Sequence, residues 1–322
     1  MATNDAAAQL TLLELARRME NGKLLTIARN LSQRNRMMED AVWVEANQTT
    51  THKTVRHTTE PTGTYRDLND GVPRESNTTD TISDVIGMLE TYNRTDASIL
   101  ALSKDPAGMR FQEDMGTLGG MSKTVAESII YGSLADNSSE FDGLAVRFNA
   151  LALDNVHDEG GTGSDVMSIW IVRWSDFDGV HLIYPRDDSN IGISIRDLGE
   201  DTVGGATAST EFQAFRTHFK IDLGLVVRDT RSVQRVANIE SDGSSNIFDP
   251  DTLITSLNQM WKLDNTVIYC NRTAKTQIDI NAKDKTNAYY TVDNVFGKPT
   301  TMFQGIPIKL VEQLTITETA VA

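Results

Sequence analysis

The sequence predicts an α+β fold in which a folded body carries a long, polar β-hairpin. Three observations predict this fold: apolar residues at helical spacing near the N-terminus, a Thr-rich polar stretch at residues 45–84, and a β-rich second half that ends in mixed helices and strands. Hydrophobic residues make up 39% of the 322 residues, well above the range of disordered chains. We therefore expect a core, with much of the chain in extended polar arms.

Residues 8–44 are predicted to form an amphipathic helix that is interrupted at Asn21-Gly22. The apolar residues with helical spacing are Leu12, Leu13, Leu15, Ala16, Met19, Leu24, Ile27, Ala28, Leu31 and Met38. This pattern is compatible with packing against the chain's own body or against a neighbouring molecule.

Residues 45–84 are predicted to form an extended hairpin, because pairs and triplets of Thr alternate with charged residues. The residues that favour turns are Pro61, Gly63, Asn69, Asp70, Gly71 and Pro73. A hairpin this polar cannot bury a core of its own, and an isolated hairpin is marginal in water. We expect it to be either disordered or held by another subunit.

A long helix is predicted to start at Asp105-Pro106, with Asp105 as the N-cap and Pro106 at the first helical position. One apolar face then continues down to Tyr131, and its members are Phe111, Met115, Leu118, Val125 and Ile129.

The chain is predicted to be mostly β from residue 141 to about 246. A hairpin is expected to pair Ser168–Val172 with Val180–Tyr184 around a turn at Asp176–Gly179. The two long strands expected next are Phe212–Ile221 and Leu225–Ile239.

Residues 249–322 return to mixed α/β structure. Asp249-Pro250 repeats the cap-plus-proline start, before a helical face formed by Leu253, Ile254, Leu257 and Trp261. The remaining predicted elements are a strand at 266–270, a short helix near 273–281 and a strand at Ile306–Val311.

No catalytic, cofactor or metal site is predicted. Gly160–Ser164 lacks the Lys of a phosphate-binding loop, and Asp176–Gly179 lacks the Glu that closes a calcium loop. The five His residues have no zinc-site spacing, and the sequence contains no GxSxG motif. Cys270 is the single cysteine and lies in a predicted buried strand, so we expect an inert thiol.

The formal net charge of -15 repels phosphate, which argues against specific binding of nucleic acid but is suitable for a wall beside DNA. No apolar run approaches the ~20 residues that span a bilayer, and Met1–Gln9 lacks the regions of a signal peptide. We expect a protein that is made and used in the cytoplasm.

Three stretches carry a family resemblance. Tyr131-Gly132 with Phe141-Asp142-Gly143-Leu144 closes the long helix, Phe215–Lys220 continues through Gly224–Asp229, and Gly305-Ile306-Pro307-Ile308 forms a G-x-P-hydrophobic strand. Together they resemble the major capsid proteins of tailed bacteriophages, most of all those of short-tailed phages, over nearly the whole chain. The resemblance implies the Hong Kong 97-type capsid fold and a structural, non-enzymatic role in an icosahedral shell around double-stranded DNA.

The resemblance also implies four parts. Residues 1–46 would be the N-terminal arm, and residues 47–84 the extended loop. Residues 85–248 would be the peripheral domain with the spine helix at 105–131 and long β-strands, and residues 249–322 the axial domain. In most of the family, axial segments come before the last peripheral strands, so a rearranged segment order is implied here.

A shell subunit must hold several neighbours at slightly different angles, and a charged hairpin needs paired partners. We predict that six residues of the hairpin contact adjoining subunits: Lys53, Arg56, Glu60, Arg66, Asp67 and Arg74. The alternative is solvated charges that contribute ~0–1 kcal/mol each. Some relatives crosslink Lys to Asn between subunits; Lys53 lies in the corresponding loop, but no acceptor Asn or catalytic Glu can be matched, so a non-covalent shell is predicted.

The implied partners are further copies of the chain in hexamers and pentamers, a scaffolding protein and a portal protein, and a cement or decoration protein is left open. The shell would enclose DNA without sequence-specific binding, involve no membrane, and reach the virion after assembly in the bacterial cytoplasm. Two alternatives remain: an encapsulin-like compartment that encloses a cargo enzyme, and a soluble α/β hydrolytic enzyme.

Overall fold

A computed structural model of the protein describes residues 19–20, 23–24, 36–186, 192–204, 210–284, 290–295 and 298–322. The helices are α1 (Arg36–Asp40), α2 (Ala97–Leu102), α3 (Pro106–Tyr131), α4 (Leu144–Arg147), α5 (Pro250–Gln259) and α6 (Arg272–Asp284). The strands are β1 (Met19–Glu20), β2 (Lys23–Leu24), β3 (Trp43–Glu45), β4 (Thr51–Thr59), β5 (Thr78–Val85), β6 (Gly87–Asp96), β7 (Val156–Asp158), β8 (Val166–Arg173), β9 (Val180–Tyr184), β10 (Ser194–Gly204), β11 (Glu211–Val227), β12 (Val233–Glu240), β13 (Thr266–Cys270), β14 (Tyr290–Val295), β15 (Lys298–Phe303) and β16 (Ile306–Leu310). None of the described helices is both long and apolar enough to cross a membrane.

Two sheets make up the body. The seven-stranded sheet has the order β14-β15-β16-β13-β8-β12-β7, and the five-stranded sheet has the order β10-β11-β9-β3 with β6 also paired to β11. The seven-stranded sheet takes strands from both sides of the predicted boundary at residue 248, so the domain limits stay a prediction.

Strand β8 is buried at every position because the seven-stranded sheet is covered on both faces. Trp170 and Val172 point into one core cluster, which α3 and the five-stranded sheet share. Ile169 and Ile171 point into a second cluster against α5 and α6. Burying a large apolar side chain contributes about 1.5–3 kcal/mol, so this doubly covered strand is a main source of stability.

Helix α3 begins as the sequence predicts, with the Asp105 carboxylate accepting a hydrogen bond from the Gly108 amide at 2.9 Å. It ends at Gly132, where the Gly143 amide donates to the Gly132 carbonyl at 2.8 Å. A Cβ at Gly143 would lie 2.7 Å from the Ile130 carbonyl oxygen, so only glycine permits this close return of the chain.

The last residues run back into the body and are held by a buried ion pair. Glu318 accepts hydrogen bonds from Arg235 at 2.9 Å, from the Ser168 hydroxyl at 2.5 Å and from the Tyr131 hydroxyl at 2.6 Å. Burial, together with the Glu318 charge, raises the pKa of Tyr131, which keeps its hydroxyl a donor. One carboxylate therefore joins α3, β8, β12 and the C-terminal segment.

The helix predicted over residues 8–44 is wrong in two described places. β1 and β2 are strands that pair antiparallel, and the Asn21-Gly22 dipeptide is itself a sequence signal for a hairpin. Trp43–Glu45 is a strand paired in parallel with β9, so tertiary pairing overrides the helical spacing. Residues 1–18, 21–22 and 25–35 lie outside the described part of the chain.

The hairpin predicted for Ser168–Val172 and Val180–Tyr184 is also wrong. β8 pairs with β12 and β13, whereas β9 pairs with β11 and β3 in the other sheet. The Asp176–Gly179 turn thus carries the chain between sheets instead of closing a hairpin.

The break between the two predicted long strands is misplaced. β11 runs unbroken through Asp222–Gly224, because β6 pairs with it as far as Leu223 and β9 pairs with it from Gly224 onward. The chain turns at Thr230–Ser232, where the Asp229 carboxylate accepts from the Arg231 amide at 2.9 Å. The elements predicted at Asp249-Pro250, 266–270, 273–281 and Ile306–Val311 are confirmed within a few residues.

Candidate assembly interface

The hairpin of β4 and β5 projects from the body as one two-stranded sheet. Every residue from Thr58 to Thr81 is exposed, so the distal part of the hairpin contacts little of its own chain. The proximal part is different, because Thr54 and Asp84 are buried. We name the proximal contacts the hairpin base and residues 61–77 the hairpin tip.

The hairpin base is fixed by an ion pair between Asp84 of β5 and Arg147 of α4, with 2.7 Å between Oδ1 and Nη2. The Asp84 side chain is only 3% exposed. Arg147 also donates to the carbonyl oxygens of Leu225 at 3.0 Å and Asp142 at 3.1 Å. A charged donor that also holds two carbonyls of the body fixes the position of the carboxylate, and with it the strand β5.

Close backbone approach also fixes the hairpin base. A Cβ at Gly224 of β11 would lie 2.6 Å from the Val85 carbonyl oxygen, so glycine lets β5 lie directly on the sheet. Arg56 of β4 donates to the carbonyls of Val227 at 3.1 Å and Arg228 at 3.3 Å, at the end of β11. Both strands of the hairpin are therefore tied to β11.

A pair of histidines lies in the same junction. His52 of β4 and His181 of β9 make an edge-to-face contact with 6.0 Å between ring centroids. Burial lowers the pKa of His181 to about 4, and the neighbouring His52 and Arg228 act in the same direction, against the opposing effects of a hydrogen bond with the Ser175 backbone and of Asp176. Burial also lowers the pKa of His52, although Asp84 opposes that shift. Both imidazoles are therefore neutral near pH 7.

This geometry predicts a loss of stability in acid. His181 has a pKa of about 4 in the folded chain and 6.5 as its ordinary value, so the unfolded chain binds the proton first as the pH falls. The contribution of neutral His181 is complete above pH 6.5 and is lost as the pH falls toward 4. Between pH 7 and pH 5 we expect the contribution of His181 to the free energy of unfolding to fall by about 2 kcal/mol.

Urea unfolding of the wild type and of His181→Gln at both pH values measures this effect. The variant keeps a neutral polar side chain and should lose about 2 kcal/mol less than the wild type between the two pH values. An identical pH dependence of the two proteins would show that His181 does not titrate as its surroundings require.

The hairpin tip is ordered by a few hydrogen bonds of its own. Glu75 accepts from the amides of Thr62 at 2.8 Å and Gly63 at 3.1 Å, across the two chain segments. Arg66 donates to the Asp70 carbonyl at 3.0 Å. The apolar side chains of the tip point into solvent, and they are Tyr65, Leu68 and Val72. A group of large apolar side chains exposed together is a candidate interaction site.

The sequence matches the family model of the major capsid protein GP7 over residues 19–322. The chain belongs to the major capsid protein GP7 family. It also resembles a chain from the near-atomic-resolution structure of bacteriophage Epsilon15, with 27% identity, a TM-score of 0.73 and 97% of each chain covered.

Two further solved structures show lower similarity. The capsid of bacteriophage JBD30 has 9% identity and a TM-score of 0.51, with 90% of this chain and 92% of that chain covered. The SrpI encapsulin from Synechococcus elongatus has 10% identity and a TM-score of 0.47, with 74% and 97% covered. Among curated protein sequences there is no match.

These findings confirm the resemblance, the fold and the role expected from the sequence. The capsid protein has the Hong Kong 97-type fold, serves a structural role and forms a homo-oligomeric shell in the virion capsid of a bacteriophage. The capsid interpretation rests on the family match and on the Epsilon15 likeness.

The capsid protein's predicted contact residues fall into two groups. Arg56 lies at the hairpin base on carbonyls of its own chain, and Lys53 is exposed there, with its backbone amide donating to the Asn47 side chain at 2.9 Å. The residues on the exposed distal part are Glu60, Arg66, Asp67 and Arg74. A contact with a neighbouring subunit stays a prediction for all six.

Asp84, Arg147 and Glu75 are not among the contact residues predicted from the sequence. Asp84 follows Ile82 with period two on the strand that faces the body, and this spacing indicates a buried carboxylate that needs a cation. No sequence signal identifies Arg147 as that cation, because 63 residues separate the two. Glu75 lies amid turn residues, where its pairing with Thr62 depends on the hairpin register.

The two loops that resemble a calcium loop and a phosphate-binding loop both make structural contacts within the chain. Asp178 of the supposed calcium loop is paired with Arg173 at 2.8 Å and Lys262 at 2.7 Å. In the glycine-rich loop, the Gly163 carbonyl accepts from the Ala320 amide at 2.9 Å. Burial raises the pKa of Cys270 to about 12, which suppresses its thiolate. The described residues contain no cluster of three His, Cys, Asp or Glu side chains that could hold a metal ion.

Proposed function

We propose that the hairpin is the arm by which each subunit holds its neighbour in an icosahedral shell of hexamers and pentamers around the double-stranded DNA of a tailed phage. This proposal rests on the contrast between the two ends of the hairpin. Tyr65 and Leu68 of the tip are fully exposed, whereas the base is buried and held by an ion pair. A rigid base with an exposed apolar tip is suited to reach a second copy and bury the tip there.

The proposed parts of the subunit are the N-terminal arm at 1–46, the extended loop at 47–84, the peripheral domain at 85–248 and the axial domain at 249–322. Of the six charged contact residues, Glu60, Arg66, Asp67 and Arg74 would form the polar rim around the buried tip, and Lys53 and Arg56 would contact a neighbour beside the hairpin base. The shell would be non-covalent and without enzymatic activity.

The proposed partners beyond the shell are a scaffolding protein, a portal protein at one vertex and a cement or decoration protein, with assembly in the bacterial cytoplasm. The net charge of -15 supports enclosure of DNA without specific binding, because a wall of the same sign as the genome does not adhere to it. Packaged DNA in purified particles would favour the phage shell, and a packaged enzyme would favour the encapsulin-like alternative.

Replacing both Tyr65 and Leu68 by Ser tests the role of the hairpin. Each burial contributes about 1.5–3 kcal/mol, so the double variant should weaken each contact between subunits by about 100-fold or more. We expect the wild type to sediment as megadalton particles and the variant to remain as small species. The unfolding midpoint of the unassembled chain should not change, because both side chains are exposed in it.

The matched control is Thr62→Ser with Thr64→Ser, which changes two exposed residues of the same tip without removing an apolar side chain. This control should assemble like the wild type. Normal shells from the Tyr65/Leu68 variant would contradict the proposed role of the tip.

A further inference from the structure

A second apolar surface lies on the body, apart from the hairpin tip. Phe177 is 72% exposed, Trp261 is 59% exposed and Leu263 is 45% exposed. They come from two loops, one between β8 and β9 and one between α5 and β13. The salt bridge from Asp178 to Lys262, at 2.7 Å, joins residues next to Phe177 and Trp261 and so brings these loops together. We name Phe177, Trp261 and Leu263 the aromatic patch.

Arginine side chains stack on both rings of the aromatic patch. The Arg228 guanidinium lies 5.0 Å from the Phe177 ring centroid, and that of Arg231 lies 4.4 Å from the Trp261 ring centroid. Stacking restrains the rings before any partner arrives, which reduces the entropy lost on binding. Trp and Arg are also the residue types that contribute most to protein interfaces.

The charges around the aromatic patch are already paired within the chain. Asp178 bridges Arg173 and Lys262, Asp264 pairs with Arg173 at 3.0 Å, and Asp229 pairs with Arg231 at 2.7 Å. The Asp178 carbonyl also accepts from the Ser232 hydroxyl at 3.0 Å. Removing water from this surface therefore leaves few polar groups without partners, which lowers the cost of covering it.

The charge balance points to a particular occupant. Each basic side chain around the patch is matched by an acidic one: Arg173, Arg228, Arg231 and Lys262 stand against Asp176, Asp178, Asp229 and Asp264. The chain as a whole carries a net charge of -15, so two copies repel each other over most of their surface. A locally neutral, apolar area is where a second copy can approach.

The aromatic patch is also continuous with the hairpin base. Arg228, which covers Phe177, offers its carbonyl to Arg56 of β4 at 3.3 Å. The patch therefore flanks the place where the hairpin leaves the body. A neighbour that the hairpin reaches would cover this part of the body as well.

We propose that the aromatic patch of Phe177, Trp261 and Leu263 is a rigid contact surface for a second copy of this chain, beside the hairpin. This inference rests on the proposed function, because it requires that copies assemble. The patch would add a contact surface on the body to the one on the hairpin.

Tryptophan fluorescence tests whether a second copy covers the patch. Trp170 and Trp174 are buried and Trp43 is partly buried, whereas Trp261 is exposed. Acrylamide should therefore quench the wild-type subunit more strongly than the Trp261→Phe subunit. In shells assembled from the purified chain, this difference between wild type and variant should be lost. If the difference in quenching persists in such shells, the proposal is overturned. If the difference disappears only after another protein is added, the patch is a contact surface for that protein and not for a second copy.

Assembly of substituted chains gives an independent measurement. Phe177→Ser with Trp261→Ser should raise the subunit concentration needed for shell formation by about tenfold or more, as for truncated interface hot spots, with an unchanged unfolding midpoint. The control is Phe111→Ser, an aromatic of similar exposure, at 65%, on α3. The patch proposal fails if the double variant assembles like the wild type, or if the control loses assembly to the same degree.

The two proposals fail in different ways. If the wild type forms no particles, the proposed function fails. If the wild type assembles, the Tyr65/Leu68 variant does not, and the Phe177/Trp261 variant does, then only the aromatic patch is excluded.

Discussion

Replacing Arg235 by Met is expected to lower the free energy of unfolding of the unassembled subunit by about 3–5 kcal/mol. The Arg235 side chain is 5% exposed and that of Glu318 is 6% exposed. Arg235 also donates to the Phe148 carbonyl at 2.7 Å and stacks 4.9 Å from the Trp170 ring centroid. Without the guanidinium, Glu318 would remain a buried carboxylate with no charged partner, and this desolvated charge is the main source of the loss.

Urea unfolding followed by circular dichroism measures the change. The double variant Arg235→Met with Glu318→Leu removes both charges and should be more stable than Arg235→Met alone, because no buried carboxylate is left. Arg272→Ala breaks an Arg–Glu pair that is exposed on the surface, with Glu312, and should cost about 0–1 kcal/mol. A loss below about 1 kcal/mol for Arg235→Met would show that Glu318 is solvated.

The sequence predicts those elements whose signals lie next to one another in the chain. Helix α3 follows from Asp105, Pro106 and one apolar face, and α5 follows from Asp249-Pro250. The hairpin of β4 and β5 follows from alternating Thr and charged residues around a cluster of turn residues. In each case the deciding interactions are local, so no knowledge of the rest of the fold is needed.

The predictions that were wrong concern strands whose pairing partners lie far away in the sequence. β9 could have followed β8 as a hairpin, but β8 finds β12 and β13 on its two sides, and β9 joins β11. β3 takes its strand conformation from β9, far along the chain. The spacing of apolar residues indicates that a segment has one apolar face, but it does not indicate which segment packs against that face.

Some features of the candidate interface could likewise be predicted from the sequence, and others could not. The polar composition of residues 47–84 predicts a hairpin that cannot bury a core of its own, and the exposed tip agrees with that prediction. The base could not be predicted, because Asp84, Arg147 and His181 come from three separated segments. The aromatic patch is likewise assembled from two loops, and the sequence around Trp261 indicated only a helical face.

The second large effect is expected at the hairpin base, for Arg147→Met. The Asp84 carboxylate is buried, and among the described residues its Oδ2 has no hydrogen-bond partner, so Arg147 on Oδ1 is its main compensation. Removing that cation should cost about 3 kcal/mol or more, as for other buried pairs that lose one member. Since Arg147 also holds the Leu225 carbonyl of β11, the loss should fall on the contact between the hairpin and the sheet.

Amide hydrogen exchange locates this effect. In Arg147→Met, the Ile86 amide, which donates to the Thr50 carbonyl at the hairpin base, should exchange faster by about 100-fold, while amides in the middle of α3 change less. Asp84→Asn is the matched control, because its side-chain oxygen can still accept from Arg147 while the buried charge is gone. If Arg147→Met accelerates exchange equally in α3 and at Ile86, the ion pair stabilises the whole body. If exchange is faster only at the base, the ion pair holds the hairpin at the angle from which its tip can reach a neighbouring subunit.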